Sequence, residues 1–257
     1  MSISKDIGLS ILAALFPPAC LACGRAEGKR SLPLCLCSDC RSLLRSVESL
    51  DCARCGKKLM STGLSGVFHC QRCQKENGAI ASQLTLWRYE CPLDSIIHGL
   101  KFKRMEFLAS QLATALHHKH SDVLSEINVV VPIPLYWYRR LSRGYNQAEA
   151  IGLPLSKMLE IPLVRALWRK RPTRAQARLD RGRRLQNLES ALAPTSLGIG
   201  TLRNSRVLLV DDVMTTGATL SAAARCLALC GVRSVTTITV GSTASEQRRK
   251  GASAYNC

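Results

Sequence analysis

Along the chain, apolar residues change their period in a way that separates strands from helices. Val207, Leu208, Leu209 and Val210 form an uninterrupted β-favouring run, as expected of a strand covered on both faces in a parallel sheet. Leu220, Ala223, Ala224 and Leu227 follow at helical spacing, so a strand, a turn and a helix succeed one another. Val129 to Pro134, V-V-V-P-I-P, reads as a second buried strand that breaks into a rigid loop, because each proline fixes φ and restricts the residue before it. From Leu84 to Tyr89 apolar and polar residues alternate as in a strand, which Cys91-Pro92 closes. Leu93, Ile96, Ile97 and Leu100 then share a helical face, as do Ile151, Leu155 and Leu159 further on. Strands that alternate with helices predict an α/β fold with a mainly parallel central sheet.

The first eighty residues follow another pattern. Leu9, Leu12, Ala13 and Phe16 lie on one side of a short helix that ends at Pro17 and Pro18, a face expected to pack against its own protein. Next come Cys20 and Cys23 with Cys37 and Cys40, then Cys52 and Cys55 with Cys70 and Cys73, the pairs separated by 13 and 14 residues. This is a duplicated C-x2-C…C-x2-C unit with the spacing of zinc ribbons, in which two tight turns each give two thiolates to a tetrahedral ion. Gly24 and Gly56 stand directly after a second cysteine, where such a turn uses positive φ. Two structural Zn2+ sites are the expectation; redox activity of the C-x-x-C pairs is the alternative, and Cys35 and His69 are possible substitute ligands.

Composition narrows the setting. The 257 residues suit a small module plus a domain of ordinary size, with boundaries expected at 1–80, 81–245 and a polar tail over 246–257. Nine of the 13 cysteines fall between Cys20 and Cys73, which argues for metal thiolates in a reducing, cytoplasmic setting. The apolar run from Ile7 to Phe16 is too short for a signal peptide and is broken by prolines, and no stretch reaches the ~20 apolar residues of a membrane span. Lys and Arg number 36 against 18 acids, a net charge of +18 that attracts polyanions, either nucleic acid or phosphorylated small molecules. The surplus is concentrated between Arg139 and Arg184, with 13 cations and 3 acids. Lys103 and Arg104 suit a helix C-terminus, and His117, His118 and His120 read as solvated.

The chemistry is densest after the Val207–Val210 run. Asp211 and Asp212 stand where the strand delivers its loop, and they cannot both be core, because successive strand side chains point to opposite faces and unpaired buried carboxylates are costly. Thr215, Thr216, Gly217, Ala218 and Thr219 then make a small, hydroxyl-rich turn into a helix N-terminus, which suits a phosphate. Placed just outside the sheet beside such a loop, the acids suit the vicinal hydroxyls of a ribose.

These thirteen residues, V-L-L-V-D-D-V-M-T-T-G-A-T, resemble the phosphoribosyl-diphosphate (PRPP) motif of type I phosphoribosyltransferases. The resemblance implies that Asp211 and Asp212 are catalytic and hold the ribose hydroxyls, that Thr215 to Thr219 wrap the 5′-phosphate, and that Mg2+ accompanies PRPP. It further places a pyrophosphate loop at Pro132 and Ile133. With V-P-I-P, the segment Arg143-Gly144-Tyr145-Asn146-Gln147 and the stretch Arg171–Asn187, all preceded by cysteine pairs, the chain from Cys20 to about Val240 is similar to the ComF/GntX family of competence and DNA-utilisation proteins. That resemblance implies a double zinc ribbon before a phosphoribosyltransferase-like α/β domain, PRPP contact at Arg143, and a flexible loop carrying Arg174, Gln176 and Arg183. Two functions follow from it: transfer of phosphoribosyl from PRPP to an acceptor, or binding of single-stranded DNA during uptake, with a competence helicase or other uptake proteins as partners. For the second, Trp137, Tyr138, Tyr145 and Trp168 are candidate stacking residues, against a reading in which they are partly buried packing.

Overall fold

The computed structural model describes residues 19–26, 32–47, 79–170 and 191–243. The expected N-terminal helix, Gly56 and His69, the second cysteine set (Cys52, Cys55, Cys70, Cys73), the loop residues Arg174, Gln176 and Arg183, and the polar tail lie outside them. In chain order the elements are α1 (Ser38–Ser42), β1 (Ser82–Arg88), α2 (Leu93–Phe102), α3 (Phe107–Lys119), α4 (Ser121–Leu124) and β2 (Val129–Pro132). They continue with α5 (Trp137–Arg143), α6 (Gln147–Met158), β3 (Leu167–Arg169), β4 (Leu192–Pro194), α7 (Ser196–Thr201), β5 (Arg206–Met214), α8 (Ala218–Ala228) and β6 (Ser234–Ser242).

The strands assemble as the apolar runs require. β1, β6, β5 and β2 form one sheet in that order, and all three pairings are parallel. Every residue of β2 and the β5 run Val207–Val210 is buried, as for strands covered on both faces. Alternation along β5 divides the core in two. Leu208 and Val210, with Ile238 and Val240 of β6, pack against α2, α3 and α6, whereas Val207 and Leu209 pack against α8 and the apolar residues of β3 and β4. β3 and β4 pair antiparallel as a hairpin outside the main sheet.

The α6 start carries its own signal: Asn146 Oδ1 accepts from Ala148 N at 3.2 Å, satisfying a free helix donor. Gly152 keeps α6 close to the sheet, since a Cβ there would meet Leu163 at 3.2 Å and Val130 at 3.3 Å.

The first cysteine module shares a core with the sheet domain. Cys20, Leu36, Cys37 and Cys40 are buried in the same cluster as Leu84, Leu86 and α3. Beyond α1 the chain joins the exposed edge of β1: Val47 N donates to Leu86 O at 3.2 Å and Arg88 N to Arg45 O at 2.8 Å. Lys119 fastens this seam by donating to the carbonyls of Val47, Thr85 and Leu86 at 3.2, 3.2 and 2.8 Å. His120 corrects the solvated reading of its cluster. Its Nε2 lies 3.3 Å from Thr85 O, and burial, aided by the charge of Lys119, pushes its pKa down to about 4. His118 is exposed and His117 half-buried. Among the described residues no helix is long and apolar enough to cross a membrane.

Candidate functional site

The site arises where one strand outruns its neighbour. β2 stops at Pro132, opposite Val210, while β5 continues four residues to Met214, paired there only with β6. The result is an open shelf at the carboxyl ends of parallel strands, where ligands of open α/β sheets bind. Asp211 and Asp212 sit on that shelf. They belong to the strand itself, Asp211 in register with Thr239, and do not lie just outside the sheet as the sequence suggested. The β5 pleat continues because β6 still supplies ladder partners after β2 has ended.

Alternation sends the two carboxylates to different faces. Asp212, 9% exposed, lies on the side of α2, and its Oδ2 is 2.9 Å from Lys101 Nζ. Its Oδ1 also accepts from Val213 N at 2.6 Å. Arg143, the last residue of α5, feels the same carboxylate: burial depresses its pKa and the charge of Asp212 opposes that shift. Asp211 is half-buried, and Arg169 of β3 acts on it through its charge. Burial first, and the negative charge of Asp212 second, push Asp211 up to about 7, although the Asp212 N–H, Lys101 and Arg169 pull the other way. One carboxylate is thus neutralised by an ammonium, and the other holds a proton that comes and goes near neutral pH.

Cations exceed anions here. Arg143, Arg169 and Lys101 act on the two acids, and the charge of Arg139 of α5 in turn depresses the pKa of both Arg143 and Arg169. The Nε of Arg169 is buried with no hydrogen-bond partner among the described residues. Such a surplus favours an anion with several oxygens.

After Met214, Thr215 and Thr216 are exposed and Gly217 takes φ 71°, which opens α8 without a side-chain cap. Thr216 Oγ1 lies 3.4 Å from Ala218 N, and Ala218 and Thr219 stand half-buried at the start of α8. The Thr215–Thr219 turn therefore leads into a helix N-terminus directly after the strand that carries the acids. Pro132 and Ile133 fit their expected role less well. Pro132 has no N–H, Ile133 is 5% exposed, its N–H donates to Val210 O at 2.9 Å, and its carbonyl accepts from Asn146 Nδ2 at 2.9 Å. Neither residue has a free backbone donor. Lys101, which stands out in its L-K-F segment, and Arg169, within the basic stretch, are not among the residues the resemblance assigned to PRPP. The signal for Lys101 was its place one residue before the end of an amphipathic helix; for Arg169 it was a basic residue closing a short strand.

The aromatics also differ from a packing role. Trp137 and Tyr138 are 61% and 65% exposed, and no residue of α5 is buried. Trp168 is exposed beneath Lys170, while Tyr145 is half-buried and donates its hydroxyl to Leu100 O.

The cysteine centre is a second, separate site. One ligand sulfur from each of Cys20, Cys23, Cys37 and Cys40 lies within 4.8 Å of the others. Cys23 Sγ and Cys37 Sγ are 3.8 Å apart, which matches the edge of a ZnS4 tetrahedron, about 3.8 Å for Zn–S bonds of about 2.3 Å. The two turns form as the spacing demands: Gly24 takes φ 73° and donates to Cys20 O at 2.9 Å, and Cys40 N donates to Cys37 Sγ at 3.4 Å. Burial raises Cys20, but N–H groups of Cys23, Cys37 and Ala22 outweigh it and bring the thiol down to about 6, in favour of thiolate. Cys35 stays outside the cluster, half-buried, with its thiol raised by burial. Four sulfurs close the coordination sphere, so the centre is structural.

Comparison with known proteins identifies both parts of the chain. A profile for the Phosphoribosyl transferase domain matches residues 155–257, and one for the Double zinc ribbon domain matches residues 11–76. Competence protein F of Haemophilus influenzae is 32% identical over 206 residues, which cover 78% of this chain and 87% of that protein. DNA utilization protein YhgH of Escherichia coli K12 is 30% identical over the same shares. Competence protein ComFC of Streptococcus pneumoniae is 29% identical over 80% of this chain and 87% of its own. Among solved structures, purine phosphoribosyltransferase from Pyrococcus horikoshii has 19% identity and a TM-score of 0.33, with 55% of this chain and 86% of that chain covered. Glutamine PRPP amidotransferase from B. subtilis has 19% identity and a TM-score of 0.34, over 52% of this chain and a quarter (25%) of that longer chain. With Competence protein F and YhgH spanning most of both chains at 32% and 30% identity, this protein belongs to the ComF family and joins a double zinc ribbon to a phosphoribosyltransferase-like domain.

Proposed function

We propose that the shelf on β5 binds PRPP with Mg2+ and that the chain, in the competence and DNA-utilisation role its relatives are named for, transfers phosphoribosyl to an acceptor. The observation that carries this reading is the juxtaposition of an acid pair, a cation surplus and an uncapped helix N-terminus on one strand end. In it, the Thr215–Thr219 turn takes the 5′-phosphate on its N–H groups and hydroxyls. Asp212, locked by Lys101, and Asp211 orient the ribose hydroxyls. Arg143, Arg139 and Arg169 meet the pyrophosphate, joined by Arg174, Gln176 and Arg183 from the stretch between β3 and β4.

The reaction breaks the bond from the anomeric carbon to pyrophosphate oxygen, and the electron pair leaves with pyrophosphate. A new bond then forms from that carbon to the acceptor. The guanidinium groups stabilise the departing charge, and Asp211, poised about 7, accepts the proton a nitrogen nucleophile gives up. Magnesium, held beside the Asp211–Asp212 pair, would supply positive charge that stabilises the departing pyrophosphate. Residues 81–245 form the transferase unit in this reading, residues 1–80 the zinc unit and residues 246–257 a tail, in the cytoplasm.

The test is calorimetric titration with PRPP, with and without magnesium, on wild type and Asp212→Asn. Magnesium-dependent binding that falls at least about tenfold in the variant supports the site. Binding that survives the substitution unchanged overturns the assignment.

One observation favours a second reading. α5 presents Trp137, Tyr138, Arg139 and Arg140 to solvent, a stacking and phosphate-contacting surface suited to single-stranded DNA, alone or with a helicase of the uptake machinery. Affinity for an oligonucleotide should then fall steeply with salt and with Trp137→Ala; a flat salt response removes this reading.

A further inference from the structure

We infer that Phe102 is a positioning residue, whose exposed ring holds the Arg143 guanidinium over the Asp212 side of the shelf and so sets the anion affinity of the pocket. The identity of the anion rests on the PRPP reading above; the placement of Arg143 does not. Phe102 ends α2 and is 61% exposed, an apolar ring that gains little from the core. Its contacts lie elsewhere. The guanidinium carbon of Arg143 stands 5.2 Å from the ring centroid, within cation–π range, and the ring of His98, one helical turn earlier, lies 4.9 Å away at a tilt of 44°.

A second hold acts at the other end of the guanidinium. Arg143 Nη1 donates to Gln147 Oε1 at 3.0 Å, and Gln147 is itself buried, with Nε2 donating to Tyr145 O at 3.3 Å. Gly144, at φ 85°, ends α5 directly after Arg143, so the arginine sits on a helix terminus whose backbone does not reach into the core. Without ring and amide the long side chain would sample many rotamers, and each anion bound would have to order it. Lys101, beside Phe102 in sequence, takes Asp212 at 2.9 Å. The last turn of α2 thereby supplies both the counter-ion of one carboxylate and the prop for the arginine facing it.

The experiment compares Phe102→Leu and Phe102→Tyr, each in the wild-type and Arg143→Gln backgrounds, by titration with PRPP and magnesium. Phe102→Leu should weaken binding about two- to fivefold, Phe102→Tyr should restore it, and Phe102→Leu should add nothing once Arg143 is Gln. A loss that adds in full to Arg143→Gln, or no loss at all, overturns the inference. If wild type binds no PRPP, the reading of the pocket fails, but the clamp is still judged in the free protein. Nitrogen-15 relaxation of the Arg143 Nε–H should report a more mobile side chain in Phe102→Leu than in wild type, and equal order in the two would refute it.

Discussion

The cysteine centre and the acid shelf solve the same problem, holding charge in a partly dry place, by opposite means. At the cysteine centre all four ligands come from one 21-residue stretch, Cys20 to Cys40, and local turns bring the sulfurs within 4.8 Å of one another. At the shelf the charges come from α2, α5, β3 and β5, which only the sheet brings together. A metal can neutralise thiolates wherever two tight turns meet. A carboxylate pair without a metal needs cations delivered from several elements, and each cation must be held by something else.

The most forceful way to break this contrast is to remove one sulfur. Cys37→Ser should abolish zinc binding at the first set and destabilise the chain by several kcal/mol, on the order of 5, because metal affinity in such modules is folding free energy. Metal analysis beside a calorimetric melt checks it. Because Cys37 and Cys40 lie in the core shared with α3 and β1, the sheet domain should melt earlier too; an unchanged melt would show the module to be energetically independent.

A smaller effect sharpens the other side. The folded pKa of Asp211, about 7, stands above its ordinary 3.8. The native state therefore keeps a proton that the unfolded chain has already lost, and stability falls as pH rises through that window. Asp211→Asn should remove the fall, leaving the protein more stable than wild type at pH 8 by about 2 kcal/mol, a figure reduced from the full linkage value for the exposure of the side chain, and little different at pH 4. Chemical denaturation at the two pH values measures this, and equal gains at both would deny the shift.

The smallest effect probes the seam between the two regions. Lys119 is an exposed residue overall, yet its ammonium sits against three carbonyls and is desolvated there. Lys119→Met should cost about 1–2 kcal/mol and raise amide exchange first at Val47 and Arg88, whose N–H groups make the seam. Exchange that rises equally across β5 and β6 would mean that the seam is not a local unit.

Much of this was readable from residue order. The β5 run, the helical faces of α2 and α6 and the C-x2-C turns of the first cysteine set formed where their periods and spacing required, since each is a local consequence of side-chain size, charge or backbone freedom. Asp211 and Asp212 stood out because two adjacent acids after a buried run do not both fit a core. What they would touch was not identifiable. Lys101 lies over a hundred residues before Asp212, and Arg169 belongs to a three-residue hairpin strand whose importance is set by what it faces. His120, read as solvated, is half-buried against β1.

By itself, then, the sequence determined the kinds of element, the thiolate set from Cys20 to Cys40, and the acid pair followed by a small, hydroxyl-rich turn. Those are properties of neighbours in the chain, fixed by backbone geometry over a few residues. Only the tertiary structure decided that β2 would end four residues before β5, that the pleat would turn Asp211 and Asp212 to opposite faces, and which cation would serve each. Electrostatic energy depends on distance through space and on burial, and neither is a property of any segment alone.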